Sequence, residues 1–254
     1  MISVVLLGTG NVSQNLYSAF SGAKGVEVEQ VVGRSAQLPD FIGDTTNYTN
    51  DFNKILAADV YIIAVSDNAI SEVSLALKKG DGIVVHTSGA TSMEILSSHQ
   101  NRGVFYPLQT FTKGKMLSFE TIPICIEASA DNHLQQLEHL GKTISNNVLE
   151  INSEKRNSLH VSAVFANNFT NYLYALAEEI CVAQNLDFSI LKPLINETAA
   201  KIASMSPKKA QTGPAKRGDL ETVHSHLQTI TDKHQREIYI LLSNAIKEQH
   251  GKEL

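Results

Sequence analysis

The sequence predicts a two-part chain: an α/β domain on a mostly parallel, doubly wound sheet, followed by an all-α domain. Three observations carry this. Short apolar runs alternate with stretches of helical spacing as far as Ile151, a glycine-rich turn joins the first run to the first helix, and strand signals stop after Ile151. The expected domains are therefore 1–151 and 152–254.

The strands are read at Ser3–Leu7, Val26–Val32, Val60–Val65, Gly82–Thr87, Arg102–Tyr106, Ile122–Glu127 and Val148–Ile151. Most are continuous apolar runs rather than alternating ones, as expected where helices cover both faces of a sheet. Helical spacing fills Val12–Ser21, Phe52–Ala57, Ile70–Lys78, Ser92–Ser98 and Asn132–Ser145, then Ser153–Gln184, Phe188–Ser204, Leu220–Thr229 and Lys233–Glu248. Asn152-Ser153-Glu154 offers a cap-like start to the first long helix, with Ser153 as the N-cap. The stretch Ser206–Asp219, rich in Pro, Gly and charge, is the one long non-periodic segment of the helical part, and such loops are often functional.

Composition narrows the function. The 254 residues carry 21 Lys+Arg against 26 Asp+Glu, a net charge of −5, with 43% hydrophobic residues. That balance argues against wholesale disorder and gives no basic footprint for nucleic acid. No apolar run reaches the roughly 18 residues of a membrane span. Met1-Ile2-Ser3 opens into a strand rather than a leader, so a cytoplasmic location is expected. Cys125 and Cys181 sit in apolar contexts with no CxxC, which reads as buried thiols; no metal is expected.

The first strand runs into Gly8-Thr9-Gly10-Asn11-Val12-Ser13 and then into a helix. Gly8 allows the tight turn, Gly10 lets backbone approach a pyrophosphate, and the helix points free N–H groups and its positive end at the phosphates. In this strand-to-helix context the loop is a Rossmann-type dinucleotide fingerprint, with Ser13 at the third glycine position small enough to pack. At the end of the second strand, where an NAD site would place an acid, stands Gly33-Arg34-Ser35. A guanidinium can hold a 2′-phosphate through two charge-assisted hydrogen bonds and Ser35 adds a hydroxyl, so NADP is expected rather than NAD. The alternative for Arg34 is a solvated surface residue. Val65 ends the third strand, and Ser66 and Ser88 follow later strands at their carboxyl ends, where ligands of such sheets bind; the two serines read equally well as helix caps. His86 reads as a satisfied histidine at the strand edge.

Together with Tyr106-Pro-Leu-Gln-Thr-Phe111, with His160 and its downstream Asn-Asn-Phe, and with Thr212-Gly-Pro-Ala-Lys-Arg-Gly-Asp219, these motifs resemble a family of NADP-binding Rossmann-like proteins. Its members carry a C-terminal helical domain of unknown function and are often described as oxidoreductases. In plan the family is similar to pyrroline-5-carboxylate reductase, ketopantoate reductase and the 6-phosphogluconate and 3-hydroxyisobutyrate dehydrogenases. The related dehydrogenases place a Lys and an Asn one turn apart on the first helix of the second domain, whereas here Leu159 stands one turn beyond Lys155. The resemblance instead implies His160 as the proton donor or acceptor and Asn168 as an orienting group. His160 and Asn167, seven apart, are expected on one helix face, with Asn168 at a moderate angle. Arg217 is a fork for a substrate carboxylate or phosphate, and Asp219 either fixes Arg217 or caps the next helix; His226 is a second-rank candidate.

The sequence therefore predicts an NADP-dependent oxidoreductase that moves a hydride to or from a small carbonyl, imine or hydroxy-acid substrate, with Arg217 leaving room for an anionic one. Its long apolar helices lead to an expected homodimer. The alternative is an NADP-binding sensor or scaffold without catalysis, which the missing Lys–Asn pair favours. A methyltransferase-like use of the glycine loop is disfavoured, because Arg34 stands where an acid would be wanted.

Overall fold

The computed structural model describes residues 1–78 and 80–251. The chain divides into two compact units, Met1–Asn167 and Asn168–Leu254. The first is an α/β body that runs past the expected boundary at Ile151 and takes in the helix after it. In chain order it holds β1 (Ile2–Leu7), α1 (Asn11–Ser21), β2 (Val26–Val32), β3 (Asn47–Thr49), β4 (Val60–Ile63), α2 (Ile70–Ala76), β5 (Ile83–His86), β6 (Arg102–Pro107), β7 (Ile124–Ala128), α3 (Asp131–Lys142), β8 (Val148–Glu150) and α4 (Ser153–Ala163). The strands form one sheet in the order β3-β2-β1-β4-β5-β6-β7-β8. All neighbours are parallel except β6 and β7. That one reversal follows from the connection, since β6 and β7 are joined by a loop and not by a crossover helix.

Alternate residues of β1 feed two separate cores. Val4 and Leu6 pack with Leu16, Tyr17 and Phe20 of α1, while Val5 and Leu7 pack with Ile70 of α2 and with Leu77 and Leu96. Burial on both faces is why the strand reads as an unbroken apolar run. The chain leaves β1 toward β2 and β3 on one side and returns to β4 on the other, so the order reverses between β1 and β4. The carboxyl ends of these two strands flank the crevice where open α/β sheets bind ligands.

Several expectations are corrected. Phe52–Ala57 and Ser92–Ser98 form only single 3-10 turns, Phe52–Lys54 and Met93–Leu96, because Asp51 and Ser92 fold back onto the backbone N–H two residues on. Helix α2 stops at Ala76 rather than Lys78, where Leu77 turns extended into the core. The cap of α4 is Asn152, whose side chain accepts from the backbone N–H of Lys155; Ser153 is the first helical residue. The helix expected over Ser153–Gln184 is interrupted by a π-helical stretch, Val164–Phe169. Wider winding there rotates Asn167 relative to His160 from where a regular α-helix would put it. Strand β3 was not expected.

The second unit carries α5 (Thr170–Ala183), α6 (Lys192–Ser204), α7 (Pro207–Ala210), α8 (Pro214–Arg217), α9 (Leu220–Thr229) and α10 (Lys233–His250). Ser206–Asp219, expected as loop, thus contains two single-turn helices, each beginning at a proline. Gly213 (φ 110°) and Gly218 (φ 68°) bracket α8 with backbone that favours glycine. Among the described residues of this unit only Leu176 and His250 are buried. No helix among the described residues is long and apolar enough to cross a membrane.

Candidate functional site

The turn after β1 is built as the glycine pattern requires. Gly8 has φ +124°, and a Cβ there would stand 2.2 Å from the carbonyl oxygen of Ala64 at the end of β4. Ser13 is fully buried, and its hydroxyl donates to the Gly8 carbonyl at 2.6 Å, so the serine closes the turn. Gly10 is the N-cap of α1. It makes no side-chain cap bond, no acidic residue occupies the first turn, and a Cβ on it would meet nothing within 4 Å. Open backbone N–H groups at a positive helix end face that space, a fit for phosphate. Asn11 donates through Nδ2 to the Phe111 carbonyl, so its side chain ties down the segment after β6.

Beside this turn, at the end of β2, Gly33 is buried, and a Cβ there would stand 2.5 Å from the Tyr48 hydroxyl and 2.8 Å from Cγ2 of Thr9. The Tyr48 hydroxyl donates to the Ser35 carbonyl at 2.6 Å. Arg34 between them is exposed, with no hydrogen bond or ion pair to any described residue. A free guanidinium on an anchored turn suits an added phosphate. Val65 is partly exposed, and Ser66 is exposed with its hydroxyl uncommitted. Ser88 differs: it is buried, and its Oγ accepts from the N–H of Ala90 and Thr91 while donating to Thr91 Oγ1. It turns the loop after β5.

His86, at the end of β5, is fully buried, with Nδ1 accepting from the Ser88 N–H. Burial, helped by the charge of Arg156, lowers its pKa to about 4. In the unfolded chain the ring titrates near 6.5, so unfolded protein binds the proton first as pH falls. Stability is then lost from about pH 6.5 down to about 4, and by pH 5 the loss is about 2 kcal/mol. Urea unfolding at pH 7 and pH 5 should show His86→Asn losing about 2 kcal/mol less than the parent; an equal loss in both proteins would contradict this role.

His160, half-buried on α4, is placed by contacts that sequence reasoning missed. Its Nδ1 lies 3.2 Å from the hydroxyl of Tyr106 near the end of β6, and the two rings meet edge to face. Gly89 makes the room: a Cβ there would fall 2.6 Å from His160 Nδ1 and 2.8 Å from Tyr106 Cζ. Tyr106 is 8% exposed, and its pKa is pushed up to about 12, by burial first and the neighbouring Cys125 second.

One turn before His160, Arg156 is wholly buried. It donates to Glu127 Oε2 at 2.5 Å, to the Thr91 carbonyl at 2.6 Å and to the Ser153 hydroxyl at 3.1 Å. Ser153 in turn donates to Glu127 and accepts from the Met93 N–H. This cluster locks the start of α4 to β7 and to the loop after β5. No group of three or more His, Cys, Asp or Glu among the described residues could hold a metal ion.

The remaining candidates are less constrained. Asn167 and Asn168 are both exposed. Arg217 is mostly exposed, 4.0 Å from Asp219 Oδ2. Asp219 is the cap of α9, accepting from the Thr222 N–H and hydroxyl, which hold its carboxyl below the usual range, with a smaller contribution from Arg217. Of the two roles expected of Asp219, the structure shows the cap; Arg217 at 4.0 Å lies beyond hydrogen-bond distance. His226 accepts or donates at Nδ1 with the Tyr239 hydroxyl at 2.8 Å. Cys125 is buried, but Cys181 is partly exposed.

Residues 122–246 match the family described as a domain of unknown function, DUF2520. A Bacteroides fragilis protein described as a candidate NADP oxidoreductase shares 36% identity with the chain, with 97% of this chain and 98% of that one covered and a TM-score of 0.86. A Thermotoga maritima protein shares 23% identity, covering 98% and 99%, with a TM-score of 0.74. Pyrroline carboxylate reductase of Plasmodium falciparum, solved with NADP bound, shares the fold at 13% identity and a TM-score of 0.60, over 97% and 98%. No curated protein matches the chain. The glycine loop, the eight-stranded sheet, the helical second part and the likeness to the Bacteroides protein along nearly the whole chain together make this chain a member of that Rossmann-like family with a C-terminal DUF2520 domain.

Proposed function

We propose that the protein is an NADP-dependent oxidoreductase acting on a small carbonyl, imine or hydroxy-acid substrate. The observation that carries this is the pairing, on one carboxyl edge, of an open phosphate cradle after β1 with a His–Tyr pair beside β6. Those strands are three steps apart, about 14 Å at ~4.8 Å per step. Gly8, Thr9, Gly10, Asn11 and Val12 would hold the pyrophosphate, and Gly33, Arg34 and Ser35 the 2′-phosphate. Val65 and Ser66 follow β4, next along the edge, and Ser88 keeps the loop after β5 in shape. The descriptions of the Bacteroides protein and the Plasmodium enzyme support the same cofactor.

When bound, the nicotinamide supplies or takes up the hydride. The chain contributes orientation and a proton. His160, partly exposed, exchanges that proton with the substrate heteroatom. For Asn168 the proposed role is to orient the substrate, and for Arg217 it is to receive an anionic group. The second unit pairs with a second copy: its apolar side chains, Val182, Ile190, Leu194, Ile202 and Leu241 among them, are more than half exposed. Light scattering should give twice the mass of the chain; monomer alone at micromolar concentration would contradict the pairing.

Activity is tested by following NADPH oxidation with a panel of small aldehydes, 2-oxo acids and cyclic imines. The parent protein should consume NADPH with at least one class, and His160→Gln should lower that rate about 100-fold or more. Binding of NADPH without turnover of any class would favour the sensor reading, which the absent Lys–Asn pair supports.

A further inference from the structure

We propose that Tyr106 is a positioning residue that fixes neutral His160 as the Nε2–H tautomer, leaving Nε2 as the nitrogen that presents a proton outward. The Tyr106 hydroxyl lies 3.2 Å from Nδ1 and makes no other hydrogen bond among the described residues. It is enclosed, at 8% exposure, and burial keeps it protonated far above neutral pH. Its proton therefore has one acceptor, Nδ1. The opposite arrangement, with Nδ1–H donating to the hydroxyl oxygen, would strand the buried phenolic proton without a partner, which is the more costly state. In the neutral ring the remaining proton must then sit on Nε2.

Two further features hold this geometry. Gly89 carries no unusual φ, so its value lies in space: any Cβ would intrude between the imidazole and the phenol ring. Arg156, four residues before His160 and so on the same helix face, is clamped by Glu127, Ser153 and the Thr91 carbonyl, which fixes the rotation of α4. His160 meets Tyr106 because the helix cannot turn away.

The use of this N–H as a hydrogen-bond donor to the substrate heteroatom rests on the hydride-transfer reading, but the tautomer does not, and the two fail separately. The test is 15N NMR of the imidazole rings in the full chain without nucleotide, with His160→Gln assigning the signal. The parent should show a pyrrole-type Nε2 and a pyridine-type Nδ1 at His160. Tyr106→Phe, which removes only the hydroxyl, should raise the Nδ1–H fraction by about fivefold or more. A parent protein already dominated by Nδ1–H, or a Tyr106→Phe ratio equal to the parent's, would overturn the proposal. The parent spectrum alone suffices should the variant misfold.

Discussion

Arg156→Ala should destabilise the protein by about 3–5 kcal/mol, the cost of breaking a buried ion pair from one side. Removing the guanidinium leaves the Glu127 carboxylate, 15% exposed, with only the Ser153 hydroxyl among the described residues, and frees the Thr91 carbonyl. The exposed pair of Arg102 with Glu94, whose side chains are 23% and 61% exposed, is the comparison: Arg102→Ala should cost less than about 1 kcal/mol. Urea unfolding of the two variants side by side decides the matter. Replacing both partners at once, Arg156→Met with Glu127→Leu, should recover much of the loss, because what costs most is the orphaned charge. Equal effects at Arg156 and Arg102 would mean that the cluster under α4 is not the anchor described here.

Gly8→Ala and Gly10→Ala should separate folding from binding within one turn. At Gly8 a methyl group meets the Ala64 carbonyl and the backbone sits at positive φ, so the strain, on the order of 1–3 kcal/mol, appears in stability and the turn distorts. At Gly10 φ is −79° and a Cβ meets nothing within 4 Å, so stability should hold or rise slightly. Yet that methyl group would occupy the space where a pyrophosphate approaches, and nucleotide affinity should fall at least tenfold, about 1.4 kcal/mol. Thermal unfolding with nucleotide titration reads both. Unchanged nucleotide affinity in Gly10→Ala would remove the phosphate from this turn.

The parts of the fold legible in the sequence are those dictated by local physics. Strands buried on both faces announce themselves as apolar runs, and β2 runs from Val26 to Val32 as read. Strand β3 does not, because Asn47, Tyr48 and Thr49 form a short polar edge held mainly by backbone pairing to Gln30, Val31 and Val32. The π-helical stretch has no signature in apolar spacing, so the helix that contains it reads as continuous. In the site, the glycine loop and Arg34 are visible because their chemistry lies within a few consecutive residues. Tyr106 and His160 are 54 residues apart and Arg156 and Glu127 are 29 apart, and only the folded sheet brings either pair together. The available signal was Gly89, three residues past the end of β5, a glycine whose φ is ordinary and whose use is the room it leaves. Arg156, a charge one turn ahead of the candidate histidine, was a second.

The measurement that bears most directly on the account is a fluorescence titration of the protein with NADPH and, in parallel, NADH, repeated on Arg34→Ala. Charge-assisted hydrogen bonds from a free guanidinium to a 2′-phosphate predict that NADPH binds about 10- to 100-fold more tightly than NADH, and that the variant loses most of this difference while still binding NADH. Absence of saturable binding by either nucleotide would contradict the account, since the glycine cradle, the exposed Arg34 and the His160–Tyr106 pair would then serve no dinucleotide.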